Sequence, residues 1–393
     1  MRAVTNPQTG SKCRGWSGEL RCRYHLLADA LLPLYQSMVR HHGTVPAGAR
    51  LWIQHDAHES QQRAASNDDL EAEVQASEAG AGALALLRLL SPHSIGSRDA
   101  WDDVAGTAGT VCFRHLHVGL DVRGTFFHAG ASAAEPQHAV VDVRTAAAQA
   151  MAASQHELID FLLQGLDLPA RATIPRMQMG GGSGAVREKV VINNVHGTGA
   201  GGVHGLGDVD TIAAATRANS ELPEGTDVEV VALAELPVAE VASKMARTTV
   251  LVTTPDDMAT AVAFMPRGSV LVLVSEPGLF GWKWLHANLA LLSGIHTVAM
   301  RRPADCDDTE GFNGVEDHTQ VQPNKGAHEL DLELYADALE EAAALRRGDH
   351  EHASGDGPWF RAVPDTCEEE YAEVEAEDKP WYCRTEAAAE PTL

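Results

Sequence analysis

His25 and Asp29 stand four residues apart in a stretch of helical period, so both fall on one helix face. A carboxylate beside an imidazole can take a proton from a hydroxyl; the same two residues also suit a hydrogen-bonded pair that only positions the helix. A second candidate is Gly197-Thr198-Gly199-Ala200-Gly201-Gly202, which follows the apolar run Lys189–Val195. Glycines at 197, 199 and 202 would let backbone amides cradle a diphosphate, although a flexible loop has the same composition. No acidic residue is placed at the end of Val228–Leu233 to hold a nicotinamide cofactor's ribose, which argues against a dinucleotide enzyme. A third candidate is Thr253-Thr254-Pro255-Asp256-Asp257. Thr253 and Thr254 offer hydroxyls to a phosphate, whereas Asp256 and Asp257 read either as helix caps or as catalytic acids. Two carboxylates there would repel a diphosphate unless a metal or a basic residue intervened.

Weaker signals surround these. Asp208-Val209-Asp210 matches a metal–diphosphate triplet, but capping of the helix that begins at Thr211 is the simpler reading. His115 and His117 share a strand face without a third ligand, so no metal site is expected. Trp282 and Trp284 could stack on a sugar or base, or simply pack in a core.

The elements that must position these residues alternate between strand and helix. Tyr24–His42 is helical by period, with a kink or break expected at Pro33 and a stop at Gly43. Leu51-Trp52-Ile53 and Val111–Leu120 read as strands, and Ser154–Glu157 as a capping box for a helix running to Gly165. Pro169–Gly184, rich in Pro, Gly and Met, is the linker candidate. Beyond it come strands at Lys189–Val195, Val228–Leu233, Thr249–Thr253, Val270–Val274 and Thr297–Met300. Helices are expected at Asp210–Asn219, Val238–Ala246, Met258–Met265, Trp284–Leu292 and Leu330–Arg347. This alternation predicts an α/β protein with two parallel-sheet domains facing one cleft.

With 393 residues, 44% hydrophobic and 22% charged, the chain has the material for two globular cores. Its net charge of -25 argues against nucleic acid or an anionic membrane surface as partner. Much of that charge lies in Glu368–Asp378, which reads as a solvated tail. The six cysteines lack metal-ligand spacing; Cys13–Cys22 and Cys367–Cys383 could close small loops under oxidising conditions. No signal peptide or bilayer-length apolar run is legible, so membrane attachment is expected only through an anchor upstream of Met1.

Phe264-Met265-Pro266-Arg267-Gly268-Ser269-Val270 is similar to the "LPPGSvv" segment of glycosyltransferase family 61. Four further stretches resemble that family in the same order. They are Tyr24–Asp29 with Leu32-Pro33-Leu34, Val111-Cys112-Phe113 with Val118-Gly119-Leu120, Leu158–Leu162, and His286–Ala290 with Gly294. The family's His and Gly positions in the preceding loop read Pro255, Asp256 and Met258 here, and the arginines it carries after the Lys189–Val195 strand are absent.

The resemblance implies a GT-B enzyme built of two Rossmann-like domains: residues 1–170 on the acceptor side, 171–345 holding the nucleotide sugar, and 346–393 as an acidic tail. It implies inverting transfer from a nucleotide-sugar donor, a UDP-sugar by expectation, to a hydroxyl of a glycan or glycoprotein. Asp29 or His25 would be the base, while Gly197, Gly199, Gly202, Thr253, Thr254, Asp256 and Asp257 would line the donor side. No permanently bound cofactor is expected. A Golgi or secretory address follows from the family, and a soluble cytosolic one from the chain read literally. The altered loop keeps open a catalytically impaired relative that acts as a binding or scaffold protein.

Overall fold

The computed structural model describes Leu27, 31–46, 78–91, 146–177, 187–194, Leu206, 209–254, 257–274, 280–300, 332–348 and 359–362. The described residues fall into two compact units. One is drawn from Met1–Thr125, Ala234–Ala239 and Asp317–Gln320, the other from Phe126–Leu233, Glu240–Glu316 and Val321–Leu393. Among the described residues no helix is long and apolar enough to cross a membrane.

The first unit holds α1 (Leu32–His42) and α2 (Glu78–Leu90). Pro33 lies in the first turn of α1, where its missing N–H breaks no helical bond, and Leu31 before it is still helical in a wider π-type winding. Gly43 ends the helix with φ 74° and gives its N–H to the Val39 carbonyl at 2.7 Å. Arg40, His41 and His42 occupy the last turn, where the helix dipole favours positive charge. Helix α2, which buries Leu84, Leu86, Leu87 and Leu90, has no counterpart in the sequence reading. The strands expected at Leu51–Ile53 and Val111–Leu120 lie outside the described residues.

The second unit is built on one sheet: β1 (Lys189–Asn193), β2 (Asp227–Val231), β3 (Val250–Thr253), β4 (Val270–Leu273), β5 (His296–Met300) and β6 (Trp359–Ala362), in the spatial order β2-β1-β3-β4-β5-β6. The first five strands are parallel, and β6 pairs antiparallel with β5. Runs such as Val250-Leu251-Val252 and Val270-Leu271-Val272-Leu273 are buried at every position, as parallel strands covered on both faces must be. Residues 346–393, expected as an acidic tail, therefore contribute an edge strand at Trp359–Ala362. Pairing with β5, from Thr297↔Ala362 to Met300↔Trp359, supplies the reason.

Helices α4 (Val209–Ala218) and α7 (Leu332–Arg347) cover one face. Val190, Ile192, Val250, Val252, Val270, Val272 and Val298 meet Ile212, Tyr335, Ala338, Leu339 and Ala342 there. Burying each such aliphatic side chain contributes roughly 1.5–3 kcal/mol. Tyr335 joins the two helices: Thr216 gives its proton to the Ile212 carbonyl and accepts the Tyr335 hydroxyl at 2.7 Å. Strand alternation turns Val191, Leu251, Leu271 and Leu273 to the other face. Helix α6 (Phe280–Leu292) packs there against β4, β5 and the 3-10 helix Asp257–Phe264. Helix α5 (Val238–Met245) links β2 to β3.

Helix α3 (Ala146–Gly165) packs on α6 and the 3-10 helix, within the sheet-bearing unit, whereas the sequence reading assigns it to residues 1–170. It also begins eight residues before the expected capping box. Ser154 lies inside the helix, and its hydroxyl bonds back to the Ala150 carbonyl at 3.0 Å. The segment after it, expected as a linker, is stitched to the sheet's amino edge at its start. Ile174 N–H donates to the Arg267 carbonyl, Arg267 N–H to Ala172, and Met177 N–H to Arg346.

Candidate functional site

The chain runs from β1 through α4 to β2, then crosses back over β1 to β3. The direction of winding therefore reverses between β1 and β3. In open α/β sheets a crevice forms outside the carboxyl ends of the strands at such a reversal, and ligands bind in it. The register Val190↔Val250, Val191↔Leu251, Ile192↔Val252 brings both strands to that edge together. The segments beginning at Asn194 and Thr254 consequently leave the sheet side by side.

One side chain organises this edge. Asn193, the last residue of β1, is buried; its Nδ2 donates to Thr253 Oγ1 at 3.0 Å, and its Oδ1 accepts the Leu233 N–H at 3.1 Å. A single amide thus ties the ends of β1, β2 and β3. Asn194 N–H donates to the Val231 carbonyl and Val274 N–H to the Thr253 carbonyl, continuing the ladders past the strand ends. Because an amide has both donors and acceptors, Asn can satisfy a neighbouring hydroxyl and a backbone N–H at once where an aliphatic residue would leave them unpaired.

Of the residues singled out by sequence, Thr253 and Thr254 are placed at this edge, and both are buried. The Thr253 hydroxyl is engaged by Asn193, so it fixes the strand end and does not project toward a ligand. Asp257 opens the 3-10 helix, and Asp210 lies in the first turn of α4, where a carboxylate complements the helix dipole. Trp282 and Trp284 fall within α6. His25, Asp29, His115, His117, Gly197, Gly199, Gly202, Asp208 and Asp256 lie outside the described residues. Among the described residues, no three His, Cys, Asp or Glu side chains gather to hold a metal ion.

Asn193 is the residue that sequence reasoning missed. Its signal was an amide closing an otherwise apolar buried strand, Val190-Val191-Ile192-Asn193. Electrostatically, the outer strand pair carries a charge ladder in which Lys189 and Lys244 reach Glu229 at 2.8 and 2.6 Å. Burial pushes the Glu229 carboxyl up, but hydrogen bonds from the two lysines outweigh it and hold the group below its ordinary value.

No family model matches this chain, and no curated protein matches it.

Proposed function

We propose that this chain is a glycosyltransferase of the family 61 type, moving a sugar from a nucleoside-diphosphate donor to a hydroxyl of a glycan or glycoprotein. The observation that carries the reading is the reversal of winding between β1 and β3, the two strands whose following segments the sequence singles out. The two-domain GT-B arrangement belongs to the same proposal, with the acceptor side drawn from the unit that holds α1 and α2.

In this reading the amides of Gly197, Gly199 and Gly202 meet the diphosphate, since glycine lets backbone approach closely. Thr254 continues that rim, and Asn193 with Thr253 holds both strand ends in place beneath it. Asp29 or His25 takes the proton of the acceptor hydroxyl as its oxygen bonds to the anomeric carbon. The bond from that carbon to the diphosphate oxygen breaks, and the leaving charge stays on the nucleoside diphosphate. Loss of one general base costs about a hundred- to ten-thousand-fold in rate, so Asp29→Asn should nearly abolish transfer in a chain that still folds.

A second reading rests on the loop itself. Pro255, Asp256 and Met258 stand where the family has His and Gly, which favours a relative that binds nucleotide without turning it over. A thermal-shift series with UDP, UDP-sugars and NAD separates the possibilities, because a ligand selective for the folded state raises Tm in step with its occupancy. Stabilisation by UDP and UDP-sugars, followed by donor turnover, supports the transferase. Stabilisation without turnover supports the binding protein, and stabilisation by NAD alone overturns both.

A further inference from the structure

Arg171 and Arg267 come from distant parts of the sequence and are brought together by backbone pairing. Arg267 N–H donates to the Ala172 carbonyl at 2.9 Å and its carbonyl accepts Ile174 N–H at 3.0 Å, so Arg171 is held beside the turn that precedes β4. Arg171 is only 8% exposed, and one of its nitrogens, Nη1, donates to the Ala263 carbonyl at 3.1 Å. Its Nε and Nη2, together with Arg267 Nε and His156 Nε2, are buried and have no hydrogen-bond partner among the described residues.

Among the described residues, the polar groups nearby are largely engaged with one another, and Gln155 Oε1 is, like these nitrogens, buried without a partner. The carbonyls at the end of α6 are taken by its own closing turn, where Ser293 N–H goes to Leu289, Gly294 to Leu291 and Ile295 to Ala290. The Leu289 carbonyl also accepts from Gln155 Nε2, and His156 bonds to the Leu292 backbone. The carboxylate acting on both His156 and Arg171 is Asp160, whose Oδ1 is occupied by the Arg171 backbone N–H at 3.2 Å. The Arg171 guanidinium thus has the Asp160 carboxylate on one hand and the Arg267 charge on the other. Burial, then the neighbouring Arg267 charge, holds Arg171 down at about 10. Arg267 and His156 are partly exposed, which gives the cluster a rim toward solvent.

We propose that Arg171, Arg267 and His156 form a binding site for a small oxyanion, of the phosphate or carboxylate class, at the amino edge of the sheet. The guanidinium Nε and Nη2 groups donate to the oxyanion, as charge-assisted bonds of this kind favour. His156, already bonded to the Leu292 backbone through its other nitrogen, faces the anion with Nε2 and accepts from a protonated oxygen or donates when charged. The site is distinct from the carboxyl edge assigned to the nucleotide and stands whether or not that assignment holds.

The test uses the full chain and inorganic phosphate at pH 7, titrated against sodium chloride of matched ionic strength, with binding read by equilibrium dialysis and by Tm. The native protein should bind one phosphate saturably and gain Tm. Arg267→Gln, which breaks no side-chain bond seen in the fold, should weaken binding about tenfold or more. Asp160→Asn, which removes the competing carboxylate and keeps an acceptor for Arg171 N–H, should tighten it. Acetate in place of phosphate tells carboxylate from phosphate as the preferred class. No saturable binding in the native protein, equal binding in Arg267→Gln, or weaker binding in Asp160→Asn overturns the proposal. The UDP response should be unchanged in Arg267→Gln; its loss would place the nucleotide at the arginines and overturn the claim of a separate site.

Discussion

Arg346→Met is the perturbation whose cost the structure defines best. Arg346, in the last turn of α7, faces Glu188 with side chains 2% and 1% exposed. Nη2 donates to Oε1 at 2.7 Å and Nε to Oε2 at 3.3 Å, a two-pronged contact. Nη1 also reaches the Gly268 carbonyl and Nη2 the Pro175 carbonyl, while the Arg346 carbonyl accepts Met177 N–H. One side chain therefore ties α7 to the starts of β1 and β4 and to the segment leading from α3. Methionine fills the same volume but leaves a buried carboxylate and two carbonyls unanswered. Stranding one member of a buried pair costs about 3–5 kcal/mol. At about 2–4 °C per kcal/mol for a unit of this size, Tm should fall by roughly 6–20 °C. Urea unfolding at pH 7, followed by circular dichroism and fluorescence, measures the loss. The double variant Arg346→Met, Glu188→Leu should recover much of it, because neither charge is then stranded. A single-variant loss below about 1 kcal/mol, or strict additivity in the double variant, would refute the account.

Asn193→Ala leaves the Leu233 N–H unpaired and should cost about 1–3 kcal/mol, with UDP binding weakened as the β1 and β3 ends loosen; unaltered UDP affinity in a destabilised variant would divorce this amide from the site. Gly225 and Gly348 both have left-handed backbone, with φ 83° and 80°, but a Cβ at Gly225 meets open space whereas one at Gly348 lies 2.7 Å from Arg176 Nε. Since the exposed Arg176 head can swing away, alanine at either position should cost about 1–2 kcal/mol, and a much larger loss at 348 would show Arg176 to be fixed. His156 carries a pH signature. Burial, then Arg171 and Arg267, hold it at about 4 against an ordinary 6.5, with Asp160 and the Leu292 backbone pulling upward. The unfolded chain takes the proton first, so stability should fall as pH drops from 6.5 toward 4, by about 2 kcal/mol after screening at the partly exposed ring, with no slope from this group above 6.5. His156→Gln should flatten that limb of the urea-midpoint profile; an unchanged limb would assign it elsewhere.

The central strands were readable because burial on both faces leaves only one composition available. Val250-Leu251-Val252 and Val270-Leu271-Val272-Leu273 fit a covered parallel strand. Ser154–Glu157 misled because a Ser three residues before a Glu marks a helix start only when nothing helical precedes it. Here the alanine-rich turn from Ala146 does. Strand β6 was overlooked in an acidic tail, since Trp359–Ala362 is too short to stand out before its pairing with β5 is known. Arg171 falls in the stretch expected as a linker and Arg267 in the Pro-Arg-Gly segment before β4, and neither context signals burial. Their burial is created by contacts between segments almost a hundred residues apart, and local patterning carries no trace of that. At the site, the strand ends are legible in the sequence, whereas the reversal between β1 and β3 and the Asn193 amide bridge depend on how the strands meet in the sheet.

The antiparallel strand β6 also has a consequence during synthesis. Its partner β5 ends at Met300, while Trp359 follows about sixty residues later, which at about 5–20 residues per second is several seconds of translation. Through that interval β4 can already pair with one side of β5, but the other side presents unpaired amides and carbonyls to whatever is near. The nascent chain is thus most open to mispairing with a neighbour on the same message just before its carboxyl-terminal strand emerges, and a chain that stops short of Trp359 would keep that edge for its lifetime.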